Sequence, residues 1–201
     1  MSLHIRLLWG QLDAKAIAED PPAAVITEFN RHCSTEEQLY QFRSPQSRQI
    51  INPTLVKIGT SDIIQGGRLA NAIRLVEEHL ILYIQAYLAR FGLLRWCPDL
   101  RQSPYSLYNS ACRIVAIDTF KQAIVSHAYD HYKPKRQYID DMELLIKIYD
   151  HVVHHFHFSR YQREVRKPGS VRATDDASPS YHSRKRVCCL SFLSRCINSY
   201  R

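Results

Sequence analysis

The sequence predicts a mainly α protein: an irregular multi-helical domain with three long helices, followed by a disordered basic C-terminal tail. Three observations predict it. Apolar residues recur every three or four positions across residues 68–166, proline and glycine punctuate the runs between, and charge is unevenly spread. Residues 1–159 hold 17 Lys and Arg against 16 Asp and Glu, whereas residues 160–201 hold 10 against 3. On this reading residues 1–67 are short helices and a connector, 68–167 a three-helix core, and 168–201 a flexible tail.

The N-terminal elements come first. Asp20-Pro21-Pro22 precedes a short helix from Ala23 to His32, and Ser34 with Glu37 has the spacing of a capping box for the next, which Pro45 closes. From Ser44 to Gly67, β-branched runs are interrupted by Pro53, Gly59 and Gly66-Gly67, which reads as a long connector with one short strand or hairpin.

Arg68 to Phe91 is the first long helix, with Leu69, Ile73, Val76, Leu80, Ile84 and Leu88 on one face and Gly92 as its stop. A proline-flanked loop leads to the second, Tyr105 to about His131, ended by Lys133-Pro134. The third, Tyr138 to about Arg166, carries Met142, Leu145, Tyr149, Val152 and Phe156 as a narrow seam for one neighbouring helix. Pro168-Gly169 stops it, and the Ser- and Asp-rich stretch to Ser183 is expected to be flexible.

Composition excludes several classes. At 201 residues, 45% hydrophobic and 23% charged, the chain has the makings of one ordinary core. The greasiest run, His79 to Trp96, is broken by Gln85, Arg90, Gly92 and Arg95, whereas a membrane span needs about 20 mainly apolar residues. Met1 to Gly10 has no secretory pattern, and the six cysteines lack the spacing of a disulfide framework. An intracellular protein, cytoplasmic or nuclear, with reduced thiols is the expectation.

Histidines are the conspicuous chemistry. His127 and His131 stand four apart on the expected second helix, and His151 and His155 on the third, so each pair shares a helical face and two facing pairs could hold a metal ion. The residues between them, Ala128-Tyr129-Asp130 and Val152-Val153-His154, lack the glutamate of an HExxH protease. His151 and His155 also lie opposite the apolar seam, where solvated imidazoles are the simpler expectation. Asp118 falls near the apolar face of its helix; either its pKa is raised for catalysis or it pairs with Lys121 or with an arginine from another helix, and pairing is favoured.

No GxSxG elbow, Walker loop or GxGxxG fingerprint occurs, and Cys112 reads as a small core residue, so no catalytic residue and no cofactor is expected. The tail offers binding chemistry instead. Arg160, Arg163, Arg166 and Lys167, with Arg184, Lys185 and Arg186, could neutralise phosphates. The same triplet beside Cys188-Cys189 and the Leu190, Leu193, Ile197 pattern also suits a membrane surface.

The stretch Ser103-Pro104-Tyr105-Ser106-Leu107-Tyr108-Asn109, continuing at Ile117-Asp118-Thr119-Phe120, resembles uncharacterised, multi-copy proteins of mushroom-forming fungi. The resemblance covers the middle and later helices and departs after Arg186. It implies no activity and carries over no functional residue.

The leading functional expectation is a non-enzymatic helical interaction module with a protein partner, associated with nucleic acid through its basic C-terminal region. The alternatives are a helical metalloprotein or hydrolase using the paired histidines, and a membrane-surface protein anchored by its basic, cysteine-containing end.

Overall fold

A computed structural model describes residues 1–11, 13, 15–58, 71–73 and 75–177. The chain is mainly helical, and it divides into two compact units, Met1–Tyr161 and Gln162–Arg201.

The first unit opens with α1 (Ser2–Trp9), which ends where Gly10 takes a left-handed conformation with φ of 72° and donates back to Arg6 and Leu7. Next come α2 (Ala23–His32) and α3 (Glu36–Arg43). The capping box of α3 sits one residue later than its expected place. Thr35 is the N-cap and Gln38 its reciprocal partner, the Gln38 side chain accepting from the backbone N–H of Thr35 at 3.2 Å and of Ser34 at 2.7 Å.

Among its described residues the connector forms a 3-10 turn at Pro53–Leu55 and a parallel bridge between Lys57 and Arg95, and no strand; its remainder, 59–67, where the expected strand or hairpin could also fall, lies outside the described residues. The first long helix is shorter than its periodicity suggested. Residues 71–73 are helical, the chain turns at Leu75 and Val76, and α4 runs Glu78–Arg90.

Helix α5 (Leu107–Val125) starts at Ser106, whose side chain accepts from the Asn109 N–H. It ends before His127. Two 3-10 turns, Asp130–Tyr132 and Arg136–Tyr138, then lead to α6 (Met142–Asp150), capped by Asp141.

From Met142 to Arg166 the expected third helix is unbroken but not uniform in winding. His151–His157 is a π-helical segment between α6 and α7 (Phe158–Arg166). The wider winding re-aims the buried face: Leu145, Tyr149 and Val152 are buried as the seam predicts, but Val153 and His157 are fully buried while Phe156 is only partly so.

The N-terminal third is part of the core rather than an appendage to it. Ile5, Leu8, Trp9, Phe29 and Leu39 belong to the same apolar cluster as Ile84, Leu88, Val115 and Tyr149. Trp9 and Trp96 meet edge to face at 5.1 Å, and Phe29 meets Tyr108 at 5.3 Å.

The loop between α4 and α5 is stapled by Asn109, which is fully buried. Its amide donates to Asp99 O at 2.9 Å and to Ser103 O at 2.8 Å, and its carbonyl accepts from the Asp99 N–H. Tyr108 adds a bond to Cys97 O at 2.9 Å.

In the second unit, the stretch expected to be flexible contains α8 (Ser170–Ala177). Its free N-terminal N–H groups find a carboxylate, since Glu164 accepts from Gly169 at 2.6 Å and from Val171 at 3.3 Å. The rest of the expected tail, 178–201, lies outside the described residues. No helix among the described residues is long and apolar enough to cross a membrane.

Candidate functional site

Helices α3, α5 and α6 line a groove of about 220 Å3. Its apolar surface comes from Leu39 on α3, Ile114 and Ile117 on α5, and Met142 and Ile146 on α6, all at the helical spacings that also build the core. Two of its charged residues neutralise each other. Arg43 donates from Nε and Nη2 to the two oxygens of Asp118 at 2.7 and 2.8 Å, and the Tyr87 hydroxyl donates to the same carboxylate at 2.6 Å.

That answers the question Asp118 posed: it is paired with an arginine from another helix. The pairing holds the Arg43 guanidinium above its ordinary pKa and, with burial as the larger cause, raises the Tyr87 phenol.

Two tyrosines stand out beside the groove. Tyr40 lines it and is 65% exposed. Tyr105 is 71% exposed, with the Arg113 guanidinium 5.3 Å from its ring centre.

Arg113 joins the groove to a second polar group on α6 and the π segment. Its Nη1 lies 3.9 Å from Oδ1 of Asp150, too far for a hydrogen bond. The π winding makes residues five apart neighbours, so Tyr149 and His154 meet at 5.8 Å between ring centres. Burial, with the Arg113 charge behind it, pushes the His154 imidazole down to about 4, while burial raises the Asp150 carboxyl.

The four histidines offered as possible metal ligands form no common group among the described residues. Helix α5 ends at Val125, so His127 and His131 share no helical face. His127 sits at φ of 65°, held to Asp130 Oδ2 at 2.8 Å and to Arg136, and the His131 ring packs at a tilt against Tyr132. His151 and His155 do pair, as nearly parallel rings 5.1 Å apart on the π segment, with His155 exposed and His151 partly so. Among the described residues, no three His, Cys, Asp or Glu side chains form a metal site.

The basic set is also divided. Arg160 is 1% exposed, donates from Nη2 to Lys15 O at 3.1 Å and lies over the Phe156 ring, so it is part of the interior and unavailable to phosphate. Arg163, Arg166 and Lys167 are exposed on α7 and just beyond it. Arg184, Lys185 and Arg186 lie outside the described residues, as do Cys188, Cys189 and the apolar pattern after them.

Cys112 is fully buried as expected, and burial raises its thiol, which removes it as a nucleophile at neutral pH. Sequence reasoning passed over Arg113 and Tyr149 as binding groups. A cation inside an apolar helix and a tyrosine on the seam were the available signals, but neither announces a partner. The chain matches no family model, no curated protein and no solved structure.

Proposed function

We propose that this chain is a non-enzymatic helical interaction module whose groove between α3, α5 and α6 takes a bulky apolar side chain from an amphipathic helix of a protein partner. The observation that carries the reading is the size and chemistry of the groove. At about 220 Å3 it falls short of the roughly 300–1,000 Å3 typical of small-molecule sites. It suits one or two side chains, as the centre of a protein interface does. Its Arg43 and Asp118 charges are spent on each other, so an apolar anchor meets little electrostatic penalty, and exposed Tyr40 and Tyr105 are the residue type enriched at such interfaces.

A phage-displayed library of helical peptides, selected on the intact chain and rescreened on Ile114→Arg, tests this. Enriched peptides should carry a bulky apolar anchor and lose at least tenfold in affinity on the variant. Failure to enrich any peptide, or binding indifferent to Ile114→Arg, removes the reading.

Association with nucleic acid is the second reading, favoured by exposed Arg163, Arg166 and Lys167 together with the Arg184–Arg186 triplet in the sequence. Fluorescence anisotropy with duplex and single-stranded oligonucleotides at low salt should show binding that weakens when all six are replaced by Gln. Unchanged binding in that variant removes this reading.

A further inference from the structure

Buried polar atoms in folded proteins nearly always find partners, because each one left without a hydrogen bond forfeits the solvation it had in water. Around the start of the π segment, four such atoms lack one: Nη1 of Arg113, Oη of Tyr149, Oδ1 of Asp150 and Nε2 of His154. Each has essentially no solvent-accessible surface, and Tyr149 as a whole residue is 0% exposed.

They form two contacts, which meet at the consecutive residues Tyr149 and Asp150. Arg113 and Asp150 approach to 3.9 Å, Tyr149 and His154 are in ring contact, and the Arg113 charge is felt by both the Tyr149 phenol and the His154 imidazole. The wide turn of the π segment is what brings His154 beside Tyr149, and a distortion of this kind is often kept where a site needs it.

The hydrogen-bonding inventory of these atoms is specific. Arg113 Nη1 and the Tyr149 hydroxyl are donors, Asp150 Oδ1 is an acceptor, and Nε2 of a neutral imidazole accepts when the proton is on Nδ1. Two donors and two acceptors are the complement of one sp3 oxygen: a water molecule accepts twice and donates twice and answers all four atoms, whereas an alcohol hydroxyl, with one proton, answers three. A metal cation does not fit, since Arg113 and a phenol hydroxyl would face it. An oxyanion does not fit either, since Asp150 would repel it.

We infer that Arg113, Tyr149, Asp150 and His154 form a built site for a single neutral oxygen, supplied either by an internal water molecule or by the hydroxyl of a small alcohol entering beside Arg113. The oxygen lies against both of the nearest atoms, since two hydrogen bonds of ordinary length readily span the 3.9 Å between Arg113 Nη1 and Asp150 Oδ1. It lets α5 and the π segment pack without leaving their polar groups unsatisfied.

Tyr149→Phe gives the decisive measurement, because the two possibilities predict opposite signs. If the hydroxyl is bonded to the site oxygen, its removal should raise the unfolding equilibrium constant about tenfold in a urea titration. If the hydroxyl has no partner, its removal relieves a buried polar group, and the variant should be as stable as the parent or more so; that result overturns the inference.

A crystal structure of the intact chain supplies the independent arm. A single oxygen peak within about 3.2 Å of at least three of the four atoms is expected, and its absence overturns the inference even if the variant is destabilised. Crystals soaked in methanol then tell the sources apart: an extra carbon on the peak marks a hydroxyl site open to ligands, and an unchanged peak marks a closed water site.

Discussion

Two histidines, His4 buried on α1 and His154 partly buried on the π segment, show how differently one fold can treat the same side chain. His4 on α1 is fully buried, and both of its ring nitrogens are bonded: Nε2 to Thr119 Oγ1 at 2.8 Å and Nδ1 to the Tyr129 hydroxyl at 2.9 Å. Thr119 spends its own hydroxyl proton on Val115 O, so it accepts from Nε2–H, which leaves Nδ1 to accept from Tyr129. Every polar atom of that node is answered by protein. His154 on the π segment sits beside Arg113, Tyr149 and Asp150 with its Nε2 unanswered. A closed node holds helices together; the open one is the site inferred above to take a single oxygen.

The largest expected effect breaks the closed node. His4→Ala removes a buried ring and strands the Tyr129 hydroxyl, which should cost about 3 kcal/mol in a denaturant titration. A loss below about 1 kcal/mol would mean the node contributes little.

Acid compares the two nodes directly. Burial holds the His4 imidazole down to about 3 and His154 to about 4, so both are neutral when folded and take up protons on unfolding. Stability should therefore be full above the ordinary histidine range and fall as pH drops from about 6.5. His4 alone contributes a slope of up to about 1.4 kcal/mol per pH unit. The partly exposed His154 contributes less because solvent screens it, and Asp150, whose raised carboxyl favours the folded protonated form, opposes the trend. Urea titrations at stepped pH should show His4→Gln flattening this dependence more than His154→Gln does.

A smaller effect tests the groove beside the open node. Asp118→Asn weakens the bond to the half-exposed Arg43 and the bond to Tyr87, and should cost about 1 kcal/mol. If the groove is an interface, the same substitution should weaken partner peptides by freeing the Arg43 charge.

The smallest effect separates surface from interior in the basic set. Arg163→Ala and Arg166→Ala should change stability by less than about 0.5 kcal/mol. Arg160→Ala, which removes a buried guanidinium bonded to Lys15 O, should cost several times more in the same melt.

Much of the local architecture was legible in the residues. Three- and four-residue spacing marks the courses of α4, α5 and α6, and Gly92 marks the end of α4, because helix formation depends on neighbours within one or two turns; the caps at Ser106 and Asp141 lie inside the helices expected from Tyr105 and Tyr138. That Asp118 would find a cation, Lys121 or an arginine, was legible too, from the cost of an unpaired carboxylate near an apolar face.

Which arginine it finds was not legible, since Arg43 is 75 residues away; nor was the His4 node, whose partners are 115 and 125 residues distant. The π segment escaped for a related reason. A seam written at three- and four-residue spacing is satisfied by ordinary winding, and the wider turn appears only when Val153 and His157 are packed. Arg160 has the composition of a phosphate binder, and only the Lys15 carbonyl meeting it places it inside. Local pattern determines where helices run; the tertiary structure alone decides which polar atoms are answered, because a hydrogen bond depends on distance in space and not along the chain.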